Sequence, residues 1–322
     1  MHIISNCTQD AINKAAQALM DGHLVAFPTE TVYGLGADAS NSKAVARIYK
    51  VKARPTDHPL IVHISSINQM NKWARAIPDY AITLARKFWP GPMTLILKRS
   101  DLAKNFITGN QENVGLRVPS DPVALSLLLE FEALGGYGIA APSANIFGAV
   151  SPTSAEAVKE ELGKDLLYTD IILDNGVCTI GIESTIINCL DKIPSILRPG
   201  AITAEMISLV IGTIIEEKSH NKLVKSSGQL NKHYSPKAQI EFSDIPKAGQ
   251  GFIGLASIPD HPDVIRLASP KNLAEYSMQL YSALRLADSL ALETVTVALP
   301  KGSGLAWAIR DRIEKAAGKK NF

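Results

Sequence analysis

The chain predicts an α/β fold in two unequal domains, and three observations carry the expectation. Short β-branched segments bounded by glycine or proline mix with helical stretches over about the first 210 residues, as in an α/β domain. The texture then changes: EEKSHNKLVKSSGQLNKHYSPK, residues 216–237, holds five lysines, little apolar periodicity and a closing Ser-Pro, which is linker composition. Strand and helix signals then resume over about 85 residues and imply a small open sheet with parallel pairing.

The elements follow in order. From Thr8 to Asp21 the apolar residues Ala11, Ile12, Ala15, Ala16, Leu19 and Met20 keep a helical period, and Gly22 supplies a stop. LVAFP (24–28), LIVHI (60–64), MTLILK (93–98), VGLRVP (114–119), GIAAP (138–142), DLLYTDIIL (165–173) and ESTIIN (183–188) read as strands. Helical stretches fall near 78–88, 121–134 and 153–162, the last opened by Thr153 and Glu156 at capping-box spacing. Beyond the linker, QIEF, GFIGLAS and VIRL read as short strands. A long amphipathic helix (271–290), the strand TVTVAL (294–299) and a helix over 305–317 complete the chain. No internal repeat is present.

Composition narrows the function classes. With 322 residues, 46% of them apolar and 20% charged, the chain can bury a core without staples. Three cysteines (Cys7, Cys178, Cys189) without Cys-x-x-Cys spacing argue against a disulfide framework or a zinc site, so a reducing cytoplasm is expected. MHIISNCTQD has neither a charged n-region nor a long apolar run, and no 18-residue apolar stretch follows, so neither export nor membrane insertion is expected. A formal charge of +2 is too mild to imply nucleic-acid binding by bulk electrostatics.

Charge placement says more than charge total. In KVKARPTDHPLIVH (50–63), Lys50, Lys52 and Arg54 stand at alternate positions before a proline turn and an apolar strand. Such cations can complement a helix dipole or point to water. Arg117, between Leu116 and Val118, and Arg198, in ILRPGAI, are instead forced along the core, and His63 lies between Val62 and Ile64. Buried guanidinium needs an anionic partner: a carboxylate from elsewhere in the fold, or a bound phosphate or carboxylate, which its planar fork suits. PSANIFGAVSPT (142–153) presents Ser143, Asn145, Gly148 and Ser151 in a proline-flanked turn, equipment for phosphate or ribose contact or simply a surface turn. Glu183-Ser184-Thr185 opens a strand as a polar triplet, either a hairpin feature or a ligand contact. Gly34-x-Gly36-x-x-Ala39 and Gly136-x-Gly138-x-x-Ala141 match a dinucleotide fingerprint in letters. In the first, Pro28 and the TETVY insertion separate the glycines from the strand that the motif needs directly before it, and a dinucleotide site is the last-ranked reading. There is no P-loop and no nucleophile elbow.

Together PTETVYGLGADA, the Lys52-x-Arg54 pair, HPLIVHI, FWPGPMTLIL, VGLRVPSDP, PSANIFGAVSPT, GIESTI and LRPGAI resemble, in this order, the YrdC-like threonylcarbamoyl-AMP synthases. SSGQLNKHYSPKAQIEF resembles the linker of the long two-domain form, and LYSALRLADSL with GSGLAWAIRDRIEKAA resembles its small Rossmann-like domain. The resemblance implies a YrdC-like twisted mixed sheet over 1–215, a linker and lid over 216–238 and a Rossmann-like domain over 239–322. It implies an enzyme, a cytoplasmic nucleotidyltransferase. Its substrates would be ATP, L-threonine and bicarbonate, with Mg²⁺ accompanying ATP and pyrophosphate released. A separate transfer complex would then place the threonylcarbamoyl group on a tRNA adenosine. By matching position, Lys52, Arg54, Ser143 and Asn145 would form the catalytic signature. Thr31, His63, Arg117 and Ser184 would line a threonine pocket. Arg54, His58, Ser143, Ser151 and Arg198 would face the nucleotide, and Tyr234 would reach over the cavity as a lid. His58 stands where family members often have Asn. Metal ligands are not legible.

Other readings stay open at this level. The same fold is associated with double-stranded RNA, and the cations would then meet backbone phosphates with steep salt dependence, although FWY residues are only 6% of the chain. Weak, salt-insensitive RNA binding would remove that reading, and the synthase reading itself allows weak RNA binding. A carbamoyl-transferring maturation factor would add zinc and acylphosphatase modules, and neither is present.

Overall fold

The computed structural model describes residues 2–5, 7–215, 234–260 and 262–318, so most of the expected linker, 216–233, lies outside the described residues. In chain order the strands of the first sheet are β1 (His2–Ser5), β2 (Val25–Phe27), β3 (Gly34–Asp38), β4 (Ile61–His63), β5 (Met93–Lys98), β6 (Asn113–Arg117), β7 (Ile139–Ala140), β8 (Ile171–Asp174), β9 (Thr185–Asn188) and β10 (Ser195–Arg198). They form one mixed sheet in the order β1-β8-β2-β3-β7-β4-β6-β5-β9-β10.

Both faces of this sheet are covered, and strand periodicity of two assigns residues to each. Ala26, Ala140 and Ile172 enter one core with the helices Ser42–Val51 and Asp79–Phe88. Their neighbours Val25, Phe27, Ile139 and Leu173 enter another with the helices Gln9–Met20 and Pro122–Ala133. The first helix starts on Thr8, whose hydroxyl caps Ala11, and Gly22 follows it at φ +81°, the left-handed conformation that suits glycine.

Four expectations shift. The strand expected over 165–173 starts only at Ile171, because the buried Asp170 carboxylate ties a turn together: it accepts from the amides of Leu24 (2.9 Å) and Leu167 (2.7 Å) and pairs with Arg47 at 2.6 Å. The helix expected from Thr153 is capped one residue later, by Ser154 on the amide of Ala157. GLGAD, which the sequence offered only as a fingerprint in letters, is a strand. A Cβ on Gly36 would stand 2.8 Å from Ile139 and Phe27, so that glycine serves sheet packing and opens no dinucleotide helix. The helix Ser42–Val51, the strands β1 and β10 and the helix Ala204–Ile211 add elements beyond those read from the sequence.

The second sheet holds β11 (Gln239–Phe242), β12 (Gly251–Ile253), β13 (Ile265–Ala268) and β14 (Thr294–Val297) in the order β11-β14-β12-β13, and every pair is parallel, as expected. The helices Leu273–Ser289 and Leu305–Ala316 pack on it. Their core continues into the first domain through Val32, Val150 and Ile182.

Candidate active site

A cavity lined by polar and charged side chains opens over the middle of the large sheet. His63 and Arg117 are register partners on the parallel strands β4 and β6. The alternation that sends Val62 and Leu116 into the core therefore sets imidazole and guanidinium side by side in the cavity wall. Burial, together with the Arg117 charge, pushes the His63 pKa down to about 3, so the ring is neutral at physiological pH. Nδ1 of His63 and Nε of Arg117 are buried without a hydrogen-bond partner among the described residues.

Of the twelve expected site residues, the structure brings eight together in this wall: Thr31, Arg54, His63, Arg117, Ser143, Ser184, Arg198 and Tyr234. Thr31 sits in a hydroxyl-laced turn, its Oγ1 2.8 Å from Oγ1 of Thr29. The Ser184 hydroxyl lies 2.8 Å from that of Thr94 and accepts from Arg198 at 3.2 Å. Arg198 also donates from Nε and Nη2 to the carbonyl of Ser184, at 3.1 and 3.0 Å.

The row of alternate cations is the end of a helix, and its members part company. The amide of Ala53 bonds to the carbonyl of Lys50 and that of Arg54 to the carbonyl of Tyr49, with Ala53 at φ +48°, a Schellman-type end with alanine in the place glycine favours. The turn leaves Lys50 exposed and buries Lys52 and Arg54. Arg54 reaches the cavity, donating to the carbonyls of Pro59 (2.9 Å) and His58 (3.4 Å), 5.3 Å over the Phe147 ring.

The other four expected residues stand behind the wall. Lys52, 1% exposed, donates its ammonium to the carbonyls of Ser143 (2.5 Å) and Asn145, and accepts the amide of Phe147 on its own carbonyl. It buttresses the Ser-Ala-Asn loop. Asn145 braces the same loop, donating to the carbonyls of Ile146 and Ala149 at 2.7 and 2.9 Å. Ser151 donates to the Glu183 carboxylate at 2.6 Å. His58 meets Phe147 edge-on at 5.1 Å, one layer beyond Arg54.

Three charged residues were not singled out as site residues. Glu30 pairs with Arg117 at 2.8 Å, both side chains nearly fully buried, and accepts the amide of Ser120. Glu183 lines the cavity and receives Ser151, Tyr281 and Arg312. Burial alone would raise its pKa; Arg312, Arg198 and the Ser151 hydroxyl outweigh that and hold it at about 2. Arg312 comes from the second domain. Its sequence signal was a cation on the apolar stripe of its helix, between Ala308 and Ile309 on one side and Ala316 on the other.

The mixed sheet, the small parallel-sheet domain and a cavity walled by Arg54, Arg117 and Arg198 define a two-domain α/β protein with an enclosed, arginine-lined site. Residues 17–200 match the Sua5–YciO–YrdC family, described as telomere recombination, and residues 202–318 match a family described as threonylcarbamoyl-AMP synthase, C-terminal domain. A threonylcarbamoyl-AMP synthase of Pyrococcus abyssi is 39% identical, over 95% of this chain and 94% of its own; one of Bacillus subtilis is also 39% identical, over 95% and 93%. The crystal structure of P. abyssi Sua5 complexed with L-threonine superposes with a TM-score of 0.87 at 36% identity, covering 99% of this chain and 98% of that one. E. coli YciO, at 23% identity and a TM-score of 0.52, shares the fold. The chain belongs to the Sua5–YciO–YrdC family of threonylcarbamoyl-AMP synthases, in its two-domain form, and is an enzyme of the nucleotidyltransferase class.

Proposed function

We propose that the chain condenses L-threonine, bicarbonate and ATP into threonylcarbamoyl-AMP and releases pyrophosphate. A separate transfer complex in the cytoplasm would carry the product to tRNA adenosine. The observation that carries this reading is the pair of buried, unmet nitrogens of His63 and Arg117 in a wall shared with Arg54 and Arg198. Unmet buried polarity in a cavity calls for a polar ligand.

The chemistry has two steps. The threonine amine adds to bicarbonate with loss of water, giving a carbamate; a carbamate oxygen then bonds to the α-phosphorus as the bond from that phosphorus to the bridging oxygen breaks and pyrophosphate leaves. In this reading Arg117 takes the threonine carboxylate, shared with Glu30, while Thr31, Ser184 and neutral His63 orient the rest of the amino acid. Arg54, Ser143 and Arg198 hold the phosphates. Like-charged reactants repel, and fixed cations in a dry site offset this without reorganising during reaction. No side-chain nucleophile is required, since orientation supplies much of the rate. Tyr234 closes the nucleotide side against water, which protects a hydrolysable acyl adenylate. Its ring, 1% exposed, already lies stacked on Tyr281 in the cavity wall.

Among the described residues no cluster of acids, histidines or cysteines suits a metal, and both Glu183 in the cavity wall and Glu30 beside Arg117 are engaged. Mg²⁺ therefore enters this proposal only as the counter-ion of ATP. The RNA reading loses its cations: Lys52, Arg54, Arg117 and Arg198 are 1%, 7%, 4% and 4% exposed, too enclosed to meet a nucleic-acid backbone. The test is incubation with ATP, Mg²⁺, bicarbonate and L-threonine. Pyrophosphate and an acyl adenylate of the expected mass are the predicted products; pyrophosphate no higher than in a control without threonine refutes the reading.

A further inference from the structure

The reaction above gives no work to the charged cluster where the second domain meets the first. Arg312 is fully buried and donates from Nε to the Glu183 carboxylate at 2.6 Å and from Nη2 to the carbonyl of Pro199 at 2.8 Å. Glu183 directly precedes Ser184, and Pro199 directly follows Arg198. One guanidinium from the second domain thus grips the chain beside two residues of the cavity wall. Tyr281 adds a hydroxyl to the same carboxylate at 2.9 Å, and Arg312 lies 5.5 Å over the ring of Tyr234.

Two further contacts fix the same arrangement. Arg285 pairs with Glu161 at 3.0 Å and donates to the carbonyl of Val150, in the loop that carries Ser143 and Ser151. Gly181, at φ +80°, lets the strand entrance touch the 273–289 helix: a Cβ there would stand 2.5 Å from the Met278 Cα and the Ser277 carbonyl oxygen. A buried ion pair is seldom the cheapest glue between domains, because apolar residues of similar volume often stabilise as well or better. What a fork supplies and an apolar side chain cannot is a fixed position for two separate acceptors.

We propose that Arg312, supported by Tyr281, is a positioning residue for the Ser184–Arg198 wall, so that the second domain completes the substrate site of the first. This rests on the synthase reading. Arg312→Lys keeps the cation beside Glu183 but loses the fork, and Tyr281→Phe removes one hydroxyl.

The expected result for full-length R312K is a fall in kcat/KM of about 100-fold, the loss a 1 Å misplacement brings. Raised KM values for ATP and threonine should carry much of it, with Y281F moving the same way by less. A purely structural role would lower kcat with the folded fraction and leave both KM values unchanged. Unchanged KM values in folded R312K overturn the proposal; if R312K does not fold, unchanged values in Y281F do so. Hydrogen exchange reads the wall without any substrate. Faster exchange of the Thr185 and Ile202 amides in the variants supports the positioning role even if the wild type releases no pyrophosphate, and unchanged exchange counts against it.

Discussion

Arg54→Ala tests the chemistry and the site together. In the structure Arg54 is held from behind by the carbonyls of Pro59 and His58 and lies over Phe147, so its guanidinium has a fixed direction before substrate arrives. Burial pulls its pKa down to about 10, with the Arg198 charge adding to the fall and Tyr49, Tyr234 and Asp57 opposing it. The group is still cationic at neutral pH. A charge-assisted hydrogen bond to phosphate contributes about 1.5–3 kcal/mol, so its loss should lower kcat/KM for ATP roughly 10- to 150-fold. The cost in folding should be small by comparison, since the Tyr49 hydroxyl still donates to the His58 carbonyl at 3.1 Å and Pro59 is partly exposed. The assay is continuous pyrophosphate release with ATP varied at saturating threonine and bicarbonate, alongside a thermal melt of each protein. Arg54→Lys should recover only part of the loss, because an ammonium cannot present two parallel donors. If R54A is folded and its kcat/KM stays within about twofold of wild type, Arg54 does not hold the nucleotide, and the phosphate side of the mechanism fails.

Three other outcomes follow from the geometry. His63 is neutral in the folded chain down to about pH 3, whereas in the unfolded chain it takes up a proton below about 6.5. The unfolded state then binds the extra proton, so this residue costs about 1.4 kcal/mol of stability per unit as pH falls from 6.5 towards 3. Urea midpoints between pH 6.5 and 5, above the range where Glu183 titrates in either state, should slope more steeply for wild type than for His63→Asn; parallel slopes would refute the assignment. Lys52→Met leaves the carbonyls of Ser143 and Asn145 without their buried donor and should destabilise by about 3 kcal/mol, read as a lower urea midpoint, with activity falling as the loop loosens. Ala53→Gly relieves a left-handed alanine and should raise stability by about 1 kcal/mol, checked by the thermal midpoint with activity unchanged.

Legibility in the sequence tracked how local the cause was. The helix after Thr8, the strands at 60–64 and 93–98 and every element of the small domain announced themselves through period, cap and stop. The strand expected from 165 failed because its early residues answer to Asp170, a carboxylate whose partners Leu24 and Arg47 are far away in sequence. GLGAD was not among the expected strands because glycine is a weak strand former; only the crowding of Phe27 and Ile139 at Gly36 shows why it is there. In the site, Arg117, Arg198 and His63 were legible because apolar neighbours on both sides left a charged side chain little choice. Glu30 was passed over because its partner Arg117 lies on another strand, and Arg312 because its partner lies in another domain. Lys52 and Arg54 are two residues apart and looked alike. The left-handed Ala53 between them turns one under a loop and the other into the cavity.

The partners of the buried cations also bear on what the cavity can do. Arg117 faces a carboxylate, Glu30, so a ligand there shares a charge that is already balanced. Arg54 and Arg198 are oriented by backbone carbonyls. A carbonyl dipole fixes the direction of a guanidinium yet cancels little of its net charge, and in a low-dielectric pocket the remainder acts strongly on whatever lies in front. Glu183 answers to two cations: the Arg312 guanidinium binds its carboxylate at 2.6 Å, and the Arg198 charge also pulls its pKa down. The second domain therefore gives that carboxylate a second positive charge to answer, which offsets part of what Glu183 would otherwise take from the field of Arg198.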